Sequence, residues 1–175
     1  NYRYVAQEAA SMLGKHIKDT ALVIAHLGNG SSVAAVLGGE SKDTSMGLTP
    51  LEGLVMGTRS GDIDPGVFEF LETATHMNTH EITDVLNKQS VMLGISGLSG
   101  DMRTIEKAAE KGHEGAKLAL EVSSYRLAKY IAAMCIATGR LDALVFTGIN
   151  GENASIIRAK TIAYLGILGL KLDEA

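Results

Sequence analysis

The chain has 175 residues, enough for one domain with a real core, and its 46% hydrophobic and 21% charged residues are ordinary for a globular protein. Its net charge of -4 argues against a nucleic-acid binder held by phosphate neutralisation. No apolar run approaches bilayer-spanning length, and the opening Asn1-Tyr2-Arg3-Tyr4 lacks the charged start and apolar core of a signal peptide.

A short helix is predicted over Val5 to Leu13, stopped by Gly14. Ala21 to Ala25 then reads as a buried strand, and Val33 to Leu37 as its partner. Asn29-Gly30 between two apolar runs signals a hairpin turn with positive φ at both residues. The turn is either a plain reversal or one whose backbone amides cradle an anion, with His26 and Asn29 as added donors. Gly38-Gly39 makes a further turn. Asp43 to Pro65 reads as a long loop, too rich in interleaved Leu48, Leu51, Leu54, Val55 and Met56 to be disordered. Met46 and Met56 read as core fillers.

Helices follow over Gly66 to Thr75 and Thr79 to Lys88, the second capped by Thr79. Val91 to Ser99 is read as a connection. Asp101 to Lys111 is helical, ending at Gly112. The longest helix runs from about Glu114 to Thr138, with Leu120, Leu127, Ile131 and Met134 at helical spacing, so it is expected to be largely buried. Gly139 ends it. Cys135 lies in that run, cannot form an internal disulfide and reads as a buried thiol, which suits a reducing, cytoplasmic setting. Ala143 to Thr147 is a short strand, Gly148 to Asn153 a loop, and Ala154 to Tyr164 a helix. Hairpin, helices, then strand, loop and helix indicate an α/β domain.

The residues that could carry chemistry lie between these elements. A strand–loop–helix at 143–160 is a common ligand-binding geometry, although neither GxGxxG nor GxxxxGK[ST] occurs. Arg59, in the glycine-bounded run Met56 to Asp64, either stabilises charge on a transferring phosphoryl group or pairs with Asp62 or Asp64. His26 either donates to a phosphate or bonds a backbone carbonyl. His76, His80 and His113 read as solvated. Asp43, Glu52, Asp62 and Asp64 are candidate carboxylates for catalysis or magnesium, or else turn caps. No His/Cys/carboxylate cluster has metal-ligand spacing.

Taken together, His26-Leu27-Gly28-Asn29-Gly30, the unbroken run from Asp43 to Asp62, Phe146-Thr147-Gly148 leading to Gly151-Glu152-Asn153, and Arg126 to Ile131 resemble the acetate and propionate kinase family. The resemblance runs along essentially the whole chain. It implies an actin-like ATPase (ribonuclease H-like) α/β fold, with a phosphate-binding β-hairpin and helices packed on a mixed sheet. It implies reversible transfer of the ATP γ-phosphoryl group to a short-chain carboxylate, giving an acyl phosphate and ADP. By resemblance, His26 to Gly30 bind phosphate, Arg59 stabilises the transition state with His26 as a second catalytic residue, and Pro50 and Arg59 meet the substrate acid. Asp101, Met102 and Arg103 lie beside the nucleoside, and Gly148, Ile149, Asn150, Gly151, Glu152 and Asn153 form the adenosine loop.

Two departures from the family stand out. The last loop usually reads Gly-Gly-Ile-Gly-Glu-Asn or Ala-Gly-Ile-Gly-Glu-Asn, so Ile149 replaces a glycine. A β-branched side chain there would be strained at positive φ, or would crowd a nucleotide lying against it. The family is also about twice as long. The chain is therefore expected to be most of a second domain, with a catalytic histidine, the N-terminal domain and the groups that place Mg2+ lying outside it. A cytoplasmic homodimer with no nucleic-acid or membrane partner is implied. The alternatives are a non-catalytic actin-like nucleotide-binding or dimerisation module, and a butyrate-type kinase with a larger pocket.

Overall fold

A computed structural model describes residues 2–170. The elements are α1 (Tyr2–Met12), β1 (Ala21–Leu27), β2 (Ser31–Leu37), β3 (Glu40–Thr44), α2 (Gly66–Thr75), α3 (Thr79–Lys88), α4 (Val91–Ser96), α5 (Met102–Glu110), α6 (Glu114–Thr138), β4 (Ala143–Thr147), α7 (Gly148–Asn153) and α8 (Ser155–Tyr164). The four strands form one mixed sheet in the order β3-β2-β1-β4. β1 pairs antiparallel with β2, from Ala21 opposite Leu37 to Leu27 opposite Ser31. On its other side it pairs parallel with β4, from Leu22 opposite Ala143 to His26 opposite Thr147.

β1 is apolar throughout because both its faces are covered. Val23, Ala25 and Leu27 join the main core beneath α6, with Leu120, Leu127, Ile131 and Met134, all of them buried. The alternate residues Leu22 and Ile24 pack on the opposite face against Ala6 and Ala9 of α1. Complete burial of Leu22 or Ile24 contributes about 1.5–3 kcal/mol each. The amino end of β1 is pinned by Asp142, whose carboxylate accepts the Ala21 N–H at 2.7 Å and pairs with Lys15 at 2.8 Å.

Several expectations are corrected. α1 begins at Tyr2 rather than Val5. β3 takes up the first two residues of the segment read as loop. All five of its residues are exposed on a sheet edge, so no apolar alternation announces it. Asn78, not Thr79, caps α3, through a capping box with Glu81. Val91–Ser96 and Gly148–Asn153 are helices of six residues, under two turns and too short to show a helical period. Cys135 is only half-buried, and that burial pushes its thiol pKa up.

Candidate functional site

The tip of the β1–β2 hairpin is a three-residue loop, Gly28-Asn29-Gly30, because pairing closes with Leu27 opposite Ser31. The Gly28 N–H donates to Gly30 O at 3.0 Å. Neither Asn29 nor Gly30 has positive φ, contrary to the two-residue turn expected. The glycines serve close approach instead. A Cβ at Gly30 would lie 3.2 Å from Nη1 of Arg59. A Cβ at Gly57 would lie 2.5 Å from the Asn29 side-chain oxygen. The Gly57 N–H donates to Asn29 O at 3.4 Å, so the loop carrying Arg59 leans on the hairpin tip.

That loop is held from below. The Ser60 N–H donates to Leu86 O at the end of α3, and the Ser90 N–H donates to Thr58 O, both at 2.8 Å. Arg59 is half-buried, with Nη1 3.7 Å from the Met56 sulfur. Among the described residues no carboxylate forms an ion pair with it. Asp62 pairs with Arg126 of α6 at 3.0 Å, and Asp64 accepts the Gly66 N–H at 2.9 Å. Pairing of Arg59 with either aspartate, one of the two readings open in the sequence, does not occur.

Beside the hairpin tip opens a cleft of ≈ 570 Å³ lined by Asn29, Gly100, Asp101, Met102, Arg103, Glu106, Ile149, Asn150, Asn153 and Ala154. Three stretches far apart in sequence meet there. α7 reaches the hairpin directly, since Asn150 Nδ2 donates to Gly28 O at 3.0 Å. Gly148 permits this approach: its φ is +82°, and a Cβ would sit 2.6 Å from Leu27 O and 3.1 Å from His26 Cε1. Ile149 is free of the strain anticipated for it. It has no positive φ, lies in α7, and is 63% exposed on the cleft wall. Within α7, Gly151 is buried and Glu152 is exposed. Asp101 caps α5 and pairs with Arg103 at 3.2 Å, which holds its carboxyl below the usual range. A smaller cavity of ≈ 30 Å³, lined in part by Leu27, Gly28, Met56 and Asn150, runs beneath the tip.

Glu106 was not foreseen from the sequence. It follows Met102 by four residues, so one face of α5 carries both into the cleft. That spacing was the available signal. Burial pushes the Glu106 carboxyl above its ordinary range, aided by Glu110 and Asp101 nearby.

His26 stands where β1 ends. Its Nδ1 is buried without a partner, so the backbone-carbonyl bond considered for it is absent at that atom and Nε2 is left as the polar end of the ring. Pro50 lies apart from the cleft, in an exposed stretch beside fully exposed Leu48. His113 caps α6 by accepting the Ala116 N–H, and Asp43 accepts the Thr44 N–H. Among the described residues no three His, Cys, Asp or Glu side chains converge as a metal site. Asp62 already accepts from Arg126, Tyr130 and the Gly53 N–H, so the carboxylate nearest Arg59 in sequence does not fit a magnesium ligand. No helix among the described residues is long and apolar enough to cross a membrane.

A family profile described as the Acetokinase family matches residues 1–175. Acetate kinase 1 of Neisseria meningitidis is 65% identical over 174 residues, covering 99% of this chain and 44% of that protein. The crystal structure of Porphyromonas gingivalis acetate kinase superposes with a TM-score of 0.94 at 45% identity, over 98% of this chain and 43% of that one. A propionate kinase from Francisella tularensis gives 0.93 at 50% identity, over 98% and 44%. The fold is the actin-like ATPase fold of these kinases. The chain spans under half the length of the curated relatives it matches.

Proposed function

Because the chain belongs to the Acetokinase family, we propose that it is most of the nucleotide-binding domain of a two-domain kinase acting reversibly on acetate or propionate with ATP. In this reading a carboxylate oxygen attacks the γ-phosphorus, the bond to the β–γ bridging oxygen breaks, and ADP leaves. The observation that carries the reading is the convergence of Asn29, Asp101, Met102, Arg103, Ile149, Asn150 and Asn153 on one cleft, with Arg59 against the adjoining hairpin tip and without a carboxylate partner among the described residues.

The roles assigned to the residues are the following. Met102 and Ile149 offer apolar walls for a base, and the carboxylate and amide groups of Asp101, Asn150 and Asn153 suit ribose hydroxyls. The tip Leu27 to Gly30 lies where the phosphate chain would leave the cleft. Arg59 and the Nε2 end of His26 then face the transferring group, where catalysis is mostly positioning and neutralisation of equatorial oxygens. An unpaired guanidinium suits that task because its charge is not already cancelled. Gly148, Gly151 and Glu152, in α7 beside the Ile149 wall, are assigned with it to the nucleotide. Pro50 is assigned to the acid's alkyl group, on a surface that the other domain would cover. Magnesium bound with the nucleotide would neutralise phosphate charge, its protein ligands coming from outside the described residues. A cytoplasmic homodimer completes the proposal.

The test is acyl-phosphate formation trapped with hydroxylamine, from ATP and acetate or propionate, in the full-length protein with and without Arg59→Ala. A loss of about a thousandfold in kcat with nucleotide KM nearly unchanged supports the reading. Unchanged turnover would leave a nucleotide-binding module as the better description of these residues.

A further inference from the structure

Arg126 and Tyr130 lie on α6, and neither lines the cleft. Their side chains meet one carboxylate. Arg126 Nη2 donates to Asp62 Oδ2 at 3.0 Å, and the Tyr130 hydroxyl donates to the same oxygen. Oδ1 of Asp62 accepts the Gly53 N–H at 2.8 Å, and the Asp62 N–H returns to Gly53 O at 3.1 Å. The segment from Gly53 to Asp62 is thereby closed at its base, with Arg59 near its far end. Gly61 makes the closure possible. Its φ is +69°, and a Cβ would lie 2.6 Å from the carbonyls of Gly53 and Leu54.

We propose that Asp62, Arg126 and Tyr130 are positioning residues for Arg59, a latch that fixes the arginine loop to α6 and keeps the nearest aspartate from neutralising it. The inference rests on the proposed role of Arg59. Two effects combine in it. The latch locks the loop backbone, so that the guanidinium is aimed without reorganisation at the moment of transfer. It also removes a competing ion pair three residues away, which would otherwise cancel the charge that catalysis needs. Burial, together with the hydrogen bond to Asp62, pushes the Tyr130 hydroxyl pKa upward, so it stays a donor across the working range.

The experiment is a double-mutant cycle in the full-length protein. Tyr130→Phe and Asp62→Asn are each made in the native and the Arg59→Ala backgrounds, and acyl-phosphate formation is followed. In the native background each is expected to lower kcat by about 10- to 100-fold with KM values within about twofold, as a misplaced catalytic group does. In the Arg59→Ala background the same changes should lower kcat by less than about twofold, because the group they position is gone. Arg126→Lys should recover most of what Arg126→Ala loses. Equal losses in both backgrounds would make the latch merely structural, and no loss in the native background would overturn it. If Arg59→Ala itself leaves kcat unchanged, the role of Arg59 fails first and the latch with it, and that outcome is separate from the other two.

Discussion

Gly30 and Arg59 touch across the hairpin tip: a Cβ on the glycine would stand 3.2 Å from the arginine's Nη1. The separation is tight enough that one methyl group would push the guanidinium aside by a few tenths of an ångström. Gly30→Ala needs no unusual backbone, since Gly30 has no positive φ. Its effect on stability is therefore expected to stay below about 1 kcal/mol. In the full-length enzyme kcat should fall by about tenfold or more. Denaturant melts and steady-state kinetics on the same variant check both halves.

Gly148 and Ile149 should behave oppositely to what the family pattern suggests. Gly148→Ala forces a side chain onto a φ of +82° and against Leu27 O, so a loss of about 2 kcal/mol or more is expected. Ile149→Gly relieves no strain, because Ile149 is already helical. It should lower stability by under about 1 kcal/mol while changing nucleotide affinity through the cleft wall. Thermal melts of the two variants, with ATP titration of the second, test the contrast.

Glu106 offers a pH signature. Its folded-state pKa is raised, so the native state holds the proton more tightly than the unfolded chain. Its contribution is therefore most favourable below the ordinary glutamate value and is lost as pH rises through the folded value. Glu106→Gln should melt higher than the native chain at about pH 7.5, and the difference should vanish near about pH 4.

Asp142 has the reverse sign. Lys15, the Ala21 N–H and Arg140 lower its pKa, so its stabilisation is present above the ordinary carboxylate value and is lost as pH falls through the folded value. Asp142→Asn should cost about 1 kcal/mol at neutral pH, because the pairs are partly solvated while the backbone bond is direct. Acid-unfolding curves of the two proteins should converge at low pH.

How much the sequence discloses depends on what sets each feature. β1 and β2 are legible as continuous apolar runs, since both their faces are covered, and α3 and α6 because their buried residues recur at helical spacing. β3 is not, since all its residues face water on an edge. The three-residue tip was misjudged because Asn-Gly predicts a local dihedral, whereas the register of seven residue pairs decides the loop length. The cleft was legible only through matched motifs. Spacing alone does not tell which of α5's faces meets α7, and so Glu106 escaped notice. Asp62 looked like a partner for Arg59 because they are neighbours in the chain. The fold gives that carboxylate to α6 instead.

The parallel pairing of β1 with β4 has a kinetic consequence. β1 and β2 can meet early, across a three-residue loop, but Leu22 finds Ala143 only after most of the domain has been made. The lower wall of the cleft, at Ile149 to Ala154, hangs directly on β4. Contacts so distant in sequence close slowly. On the proposed function, a nucleotide would therefore find nothing to hold on a nascent or half-collapsed chain. Its binding energy would act on the finished domain, slowing escape from the native state rather than guiding the chain toward it.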